Sequence, residues 1–172
     1  MKKLNLFFVA LALIITSCTE DGDPIPQISG DIVGIWDMVD YTYTGQTVTT
    51  AQGQTLKSDF TGEAYNMNYT ITFEENPNNL ISMGSFSLKL TTTTLGQTST
   101  QNIDNIEGLV TGTWEMVNGE IITNANGDQG KMKIEELTES SLVLSIAEKQ
   151  DLSQSGVSII ADIDAVLFFE RQ

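Results

Sequence analysis

Histidine is absent from this chain of 172 residues, and cysteine occurs once, as Cys18. Without histidine there is no Ser-His-Asp triad, no side chain that ordinarily titrates near neutral pH, and no imidazole ligand for zinc. A lone cysteine excludes an intramolecular disulfide, so an exported domain must rely on its hydrophobic core. Paired carboxylates can catalyse hydrolysis, but 23 acidic residues offer too many pairs to indicate a site. The sequence therefore predicts a protein that is not an enzyme and that uses no metal or cofactor.

Basic residues are also scarce, since eight Lys and Arg stand against 23 Asp and Glu, a net charge of −15. A chain this acidic repels nucleic acid and anionic lipid headgroups. We therefore expect no nucleic-acid partner. The charge favours solubility and carries no information about the fold.

Long apolar runs are limited to one, from Leu4 to Ile15, interrupted only by Asn5. It is shorter than the roughly 20 residues of a membrane-spanning helix, and Lys2-Lys3 precedes it, which is the plan of an export signal. The segment Ile15-Thr16-Ser17-Cys18 resembles the lipobox of bacterial lipoproteins, which implies a signal peptide at 1–17 and lipidation of Cys18. A thiol discarded with the signal, or one buried in a core, is the alternative. Cleavage before Cys18 leaves 155 residues with six basic and 23 acidic side chains, a net charge of −17.

Residues 18–30 are predicted to be a tether. The acidic cluster Thr19-Glu20-Asp21-Gly22-Asp23 resembles the surface-export signal of lipoproteins in Bacteroidota, and Pro24 and Pro26 stiffen the rest of the tether. From Cys18 to Asp31 the chain could extend about 40 Å, at ~3.3 Å per residue. We expect a lipid-anchored outer-membrane protein exposed at the cell surface. A periplasm-facing lipoprotein with a solvated acidic linker is the alternative.

Residues 31–172 are predicted to form one domain made of β-strands. Apolar and polar residues alternate clearly in Met67–Glu74, and Asn118-Gly119 is a strong signal for a two-residue hairpin turn. Gly45 is predicted to mark a turn, followed by a weak strand or long loop over Gln46–Ser58. No helix is predicted after the signal. Eight to ten strands joined by hairpins favour a closed antiparallel up-and-down β-barrel of about eight strands, or a sandwich.

A motif that contains both tryptophans of the chain occurs twice, as Gly34-Ile35-Trp36-Asp37-Met38-Val39 and as Gly112-Thr113-Trp114-Glu115-Met116-Val117. A glycine two residues before a tryptophan lets a strand bend while the indole plugs the barrel or packs under a turn. We therefore predict that Gly34, Trp36, Gly112 and Trp114 belong to a core that closes the barrel. Coincidence between two unrelated strands is the alternative.

The order of these motifs resembles the lipocalin superfamily, and more closely the lipocalin-like lipoproteins of Bacteroidota. The resemblance spans residues 31–172 and is carried by Ile32-Val33-Gly34-Ile35-Trp36, Tyr69-Thr70-Ile71-Thr72-Phe73, Gly112-Thr113-Trp114, Leu137-Thr138-Glu139-Ser140-Ser141-Leu142-Val143-Leu144 and Phe168-Phe169-Glu170-Arg171. It implies a lipocalin-like barrel in which Arg171 stacks on Trp36; an exposed C-terminal arginine is the alternative. The helix and disulfide of vertebrate-type lipocalins are missing, so the resemblance implies the fold more firmly than ligand binding.

Two functions are compatible with a barrel of this size. The first is binding of a small apolar ligand in the barrel mouth. Its predicted lining residues are Tyr41, Tyr43, Tyr69, Phe73, Phe86, Leu88 and Met132. The second is an accessory lipoprotein with a filled barrel, which binds a protein or glycan through Gln46–Ser58 and Thr91–Asn105.

Inward side-chain volume would separate the two functions. Small inward residues such as Gly84, Ser85, Ala147 and Ala165, clustered at one end, would leave a pocket. A one-residue shift of register exchanges the two faces of a strand, so the pattern does not decide between them. A calcium loop at Asn124-Ala125-Asn126-Gly127-Asp128 is the weaker alternative to a plain hairpin turn, because it lacks the terminal bidentate Glu.

Overall fold

The computed structural model describes residues 27–108, 111–125 and 127–172, and in these ranges it contains ten strands and no helix. The predicted signal peptide, Cys18 and residues 18–26 of the predicted tether lie outside the described residues. Nowhere in the described ranges is there a helix long and apolar enough to cross a membrane. The strands are β1 (Gln27–Ile28), β2 (Gly34–Ala51), β3 (Gln54–Phe73), β4 (Asn79–Thr94), β5 (Gln97–Glu107), β6 (Gly112–Val117), β7 (Glu120–Ala125), β8 (Asp128–Leu137), β9 (Ser141–Asp151) and β10 (Val157–Arg171).

Eight of these strands close into a ring. The order is β8-β7-β6-β4-β3-β2-β10-β9, and the pairing of β9 with β8 completes the circle. Every pairing within the ring is antiparallel. Strands that are adjacent in the ring are also consecutive in sequence, with two exceptions: β4 pairs with β6 because β5 lies outside the ring, and β10 pairs with β2. The predicted all-β up-and-down barrel of about eight strands is therefore confirmed, and the sandwich is excluded.

One end of the barrel is closed by buried side chains. The turns between β3 and β4 and between β8 and β9, together with the end of β10, lie at this closed end. β1 runs parallel to β8 there, with Gln27 opposite Glu136 and Ile28 opposite Leu137, so the last residues of the predicted tether lie against the barrel. The largest fully buried side chains are Trp36, Phe73, Phe86, Phe169, Leu80, Ile121, Ile134, Leu137, Leu142 and Leu144.

The two sides of the barrel differ in height at the opposite, open end. β2 and β3 have 18 and 20 residues, whereas β6 and β7 have six each. In the described residues β5 pairs with β4 alone, and β4 meets β6 through only Asn79 and Leu80. The distal halves of β10, β2, β3 and β4, extended by β5, therefore form a sheet that rises beyond the closed ring; we call this sheet the tall wall.

The predicted turn at Gly45 is wrong. Gly45 lies in the middle of β2, paired with Phe60 of β3 and Ile163 of β10, and the hairpin turn occurs at Gln52-Gly53. An added Cβ on Gly45 would lie 2.2 Å from the backbone oxygen of Asp162 and 2.4 Å from Cζ of Phe60, so the glycine allows β10 and a ring to approach closely and does not reverse the chain. The stretch Gln46–Ser58, predicted as a weak strand or long loop, is this β2–β3 hairpin.

The predicted hairpin at Asn118-Gly119 is confirmed. Both residues have positive φ, 54° and 79°, and Val117 pairs with Glu120 across the turn. This is the geometry that favours an Asn-Gly pair, because both central residues of such a turn need positive φ. Asn126, in the next predicted turn, lies outside the described residues.

We expect Gly112→Ala to destabilise the domain more than Gly130→Ala. A Cβ on Gly112 would lie 2.1 Å from the backbone oxygen of Asn124, whereas the only atom close to a Cβ on Gly130 is the Thr123 hydroxyl, at 2.7 Å. A paired backbone cannot move aside, but a hydroxyl can rotate. Overpacking of this kind costs about 1–3 kcal/mol for Gly112→Ala, and Gly130→Ala should be near neutral. Urea unfolding measures both, and equal losses would contradict the contact geometry.

Candidate functional site

A cavity of about 130 Å³ lies inside the barrel, and we call it the chamber. Its lining comes from six strands of the ring, so only closure of the barrel creates it. All of its lining side chains are apolar except for the hydroxyl groups of two tyrosines. They are Tyr41, Tyr69, Ile71, Leu80, Met132, Leu144, Ile146, Leu167 and Phe169.

A larger cavity of about 480 Å³ lies on the inner face of the tall wall, and we call it the trough. Tyr41 lines both the chamber and the trough, so the two cavities lie next to each other at this residue. The strands β2, β3, β4 and β10 supply the trough residues. These are Tyr41, Tyr43, Thr47, Ser58, Phe60, Leu88, Leu90, Thr92 and Ile163.

Five aromatic rings connect the trough with the interior of the barrel. From the open end, Phe60 and Tyr43 have ring centroids 5.6 Å apart, and Tyr43 and Tyr41 are 6.0 Å apart. Phe86 then meets Tyr41 and Tyr69 edge-on, at 5.5 and 5.7 Å. Pairs with these spacings and tilts are favourable beyond their burial, so the series fixes the position of each ring.

Two glycines hold the outer pair of rings against the sheet. Tyr43 lies directly opposite Gly62 and Gly45 directly opposite Phe60, in two pairs that are two residues apart on the same face of the ladder. An added Cβ on Gly62 would lie 2.1 Å from Cε1 of Tyr43, and one on Gly45 would lie 2.4 Å from Cζ of Phe60. Each ring therefore occupies the space of the missing side chain on the partner strand and leaves the trough open above it.

The trough is polar at its outer part but carries no charge. Thr47, Ser58 and Thr92 contribute hydroxyl groups, and no lining residue is acidic or basic. Burial raises the pKa of Tyr41, with a smaller contribution from the charge of Tyr43, and burial also raises the pKa of Tyr43. Both phenols therefore stay protonated and neutral at physiological pH.

The structure places the predicted ligand-binding residues in four settings. Tyr41, Tyr69 and Met132 line the chamber, and Tyr41, Tyr43 and Leu88 line the trough. Phe86 lines neither cavity and packs between the rings of Tyr41 and Tyr69. Phe73 lies at the closed end, edge-on to Trp114 at 5.3 Å.

Several site residues escaped the sequence analysis, above all Phe60, Gly45 and Gly62. A signal for them exists: Tyr43-Thr44-Gly45 and Phe60-Thr61-Gly62 are two aromatic-Thr-Gly segments on consecutive strands. Antiparallel pairing places each aromatic residue opposite the glycine of the other segment. The small residues Gly84, Ser85 and Ala147 do not line the chamber or the trough, and neither does Ala165, which is buried.

Among the residues predicted to close the barrel, Trp36 is fully buried and contacts Arg171. Cζ of Arg171 lies 4.2 Å from the centre of the Trp36 ring, and the indole Nε1–H donates to the Ile32 carbonyl at 2.8 Å. Arg171 also donates to the carbonyl oxygens of Asp31, Val33 (2.9 Å) and Glu139 (2.8 Å). This arginine thus joins the segment before β2 to the turn between β8 and β9.

The second Gly-x-Trp motif sits in a related environment. Trp114 is 8% exposed, and its Nε1–H donates to the carbonyl of Glu74 at 3.0 Å. The glycines of the two motifs have different neighbours. A Cβ on Gly34, where φ is 142°, would lie 2.6 Å from Nη1 of Arg171, whereas one on Gly112 would meet backbone.

The described residues offer no cluster of three or more carboxylate, imidazole or thiol groups that could hold a metal ion. The calcium loop considered at Asn124–Asp128 lies partly outside them, because Asn126 is not described.

Comparison with known proteins found a matching family and a distantly similar structure. The model of the lipocalin-like domain matches residues 32–144. A solved structure described as a polyisoprenoid binding domain from Saccharophagus degradans, implicated in plant cell wall breakdown, aligns over 77% of this chain and 98% of its own. At 9% identity and a TM-score of 0.26, that likeness supports no argument about this protein. No curated protein matches the sequence. The family match covers most of the barrel, from Ile32 before β2 into β9, and on that basis the chain belongs to the lipocalin-like domain family.

Proposed function

We propose that this protein is a lipid-anchored, non-catalytic binding protein that holds the apolar part of a small ligand in the chamber and the rest of it in the trough. The observation that carries the proposal is the junction of the two cavities at Tyr41. A buried apolar space that adjoins an open, aromatic-lined groove suits a ligand that enters end-on from the open end.

The cavity sizes support this arrangement. Small-molecule sites are about 300–1,000 Å³ in volume. The chamber, at about 130 Å³, is too small on its own for such a ligand, whereas the trough adds about 480 Å³. A ligand that occupies both cavities would have only its narrow end inside the barrel.

The place of attachment is part of the same proposal. Lipidation at Cys18 would anchor the chain in the outer membrane, and the acidic cluster Thr19–Asp23 favours the cell surface. β1, near the end of the predicted tether, pairs with Glu136 and Leu137 at the closed end of the barrel. A tether joined there would let the trough face away from the anchoring membrane, toward ligands in solution or on another surface.

Filling the chamber should weaken binding of an apolar probe. We expect Met132→Trp to weaken binding of the neutral fluorophore N-phenyl-1-naphthylamine by about tenfold or more, equivalent to ~1.4 kcal/mol, because the indole occupies the chamber. Met132 is 5% exposed and lines the chamber, whereas Met83 is 65% exposed and outside it. Met83→Trp is therefore the matched control and should bind as the wild type does. Fluorescence titration of residues 24–172 measures all three affinities.

A second blocking variant keeps the test decisive. Met132→Trp adds volume to a buried position, which costs about 1–3 kcal/mol, so circular dichroism must show a folded domain. Ile146→Trp fills the same chamber from a half-buried position. If both folded variants bind the probe as tightly as wild type, or wild type does not bind it, the chamber is not a ligand site. The accessory role with a filled barrel would then be favoured.

A further inference from the structure

We infer that the ligand is a neutral amphiphile: an alkyl tail for the chamber joined to an uncharged, hydroxyl-bearing head of the glycosyl type for the trough. This inference rests on the proposed function and specifies the ligand class of the same site. Three features of the trough carry it, namely its gradient of polarity, its two ordered rings and its lack of charge.

Polarity increases along the trough from the chamber to the open end. On β4 the inward residues follow the order Leu88, Leu90, Thr92 toward the hairpin tip, and Phe60 on β3 is followed in the same direction by Ser58. Ser58 Oγ already accepts a hydrogen bond from the Thr94 hydroxyl at 2.7 Å, but an alkyl segment at this end would displace water from Thr47 and Thr92 without replacing its hydrogen bonds. A ligand with hydroxyl groups at that end would pair with these threonines.

The rings of Tyr43 and Phe60 form the floor of the trough beside those hydroxyl groups. Each is held over a glycine on the neighbouring strand, and the two centroids are 5.6 Å apart. The electron-rich face of an aromatic ring attracts polarised C–H groups, such as those on the flat face of a sugar ring. Two rings with flanking hydroxyl groups therefore suit a glycosyl head better than a simple alcohol.

The distribution of charge in the protein disfavours ligands with an ionic head group. No acidic or basic residue lines the trough. With a net charge of −15, the protein gives an anionic head no compensation for its lost hydration. A cationic head would be attracted over a long range by the whole chain, but the trough offers it no carboxylate among its lining residues.

The experiment compares four probes that share a decyl tail: decyl maltoside, decanol, decanoate and decyltrimethylammonium. The affinity of each probe is measured by displacement of N-phenyl-1-naphthylamine from residues 24–172, at physiological salt and below the critical micelle concentration of the probe. Maltose alone shows whether the head group binds without the tail. We expect decyl maltoside to bind about tenfold more tightly than the other three, a difference of ~1.4 kcal/mol, and maltose not to displace the probe.

Variants in the trough locate that preference. Phe60→Leu and Thr92→Val should each remove most of the advantage of decyl maltoside over decanol, because each weakens binding of decyl maltoside more than binding of decanol. Thr44→Val is the matched control, because Thr44 lies between Tyr43 and Gly45 on β2 and is exposed. It should keep the full preference.

The outcomes separate the two proposals. If decanol or a charged probe binds as tightly as decyl maltoside, or the preference survives Phe60→Leu and Thr92→Val, the inference of a neutral glycosyl head group is wrong. The proposed apolar binding site is then still supported. If neither the fluorophore nor any decyl probe binds, the proposed function fails and this inference with it.

Discussion

Replacement of Cys18 by serine is expected to move the protein from the membrane fraction to the soluble fraction. A single acyl chain gives marginal, reversible membrane binding at roughly 0.8 kcal/mol per buried CH2, and the two or three chains of a bacterial lipoprotein make attachment effectively permanent. Serine has no thiol to lipidate, so Cys18→Ser has no anchor. The change should therefore be nearly complete.

Fractionation of a Gram-negative host expressing the full chain measures this effect. Membranes washed at high salt should retain the wild type until detergent is added, and the mass of the purified protein should exceed that of its peptide by the acyl groups. Ser17→Ala keeps the cysteine and a small residue before it, so it should remain membrane-bound. A wild-type protein with an unmodified thiol, or a Cys18→Ser protein that still pellets, would refute lipidation at Cys18.

Replacement of Trp36 by alanine is expected to cause the largest loss of stability among single substitutions in the barrel. Large-to-small changes of a buried tryptophan cost about 3–5 kcal/mol. Trp36 is fully buried, and the change also removes a cation–π contact of about 0.5–2 kcal/mol with Arg171 and the indole hydrogen bond to Ile32. Domains of this size have a free energy of unfolding of about 5–15 kcal/mol, so Trp36→Ala should lose a third or more of it.

Urea unfolding followed by circular dichroism tests this prediction without depending on tryptophan fluorescence. Trp36→Phe keeps an aromatic ring under Arg171 and should lose much less. Trp114→Ala is the matched control, because that indole is 8% exposed and its strand β6 meets β4 through only two residue pairs. A loss below about 1 kcal/mol for Trp36→Ala, or one smaller than that of Trp114→Ala, would show that Trp36 does not lock the closed end.

The closed end could be predicted closely because its signals are local. The Gly-x-Trp motif, the alternation Tyr69-x-Ile71-x-Phe73 and the turn at Asn118-Gly119 each depend on a few neighbouring residues. The two-residue alternation predicts that Tyr69, Ile71 and Phe73 lie on one face of their strand, and all three are buried in the structure. Local propensity and pattern agree there, so the fold class could be predicted.

The open end could not be predicted in the same way. Between Gln46 and Ser58 polar residues predominate on both faces, so alternation gives no sign of which face is inward. Gly45 is typical of a turn and also of a close cross-strand contact, and only pairing with Phe60 decides between them. The trough was missed for this reason, although five of the seven predicted ligand-binding residues line one of the two cavities.

The sequence by itself determined the export signal pattern, the absence of histidine chemistry, the acidic charge and the all-β barrel, because composition and short-range periodicity are properties of the chain alone. The tertiary structure decided which strands close the ring, that β5 leaves it, and that Tyr43 and Phe60 lie over Gly62 and Gly45 in the trough. Register and strand length fix those relations between residues far apart in sequence. A cavity exists only where such distant residues converge without filling the space between them.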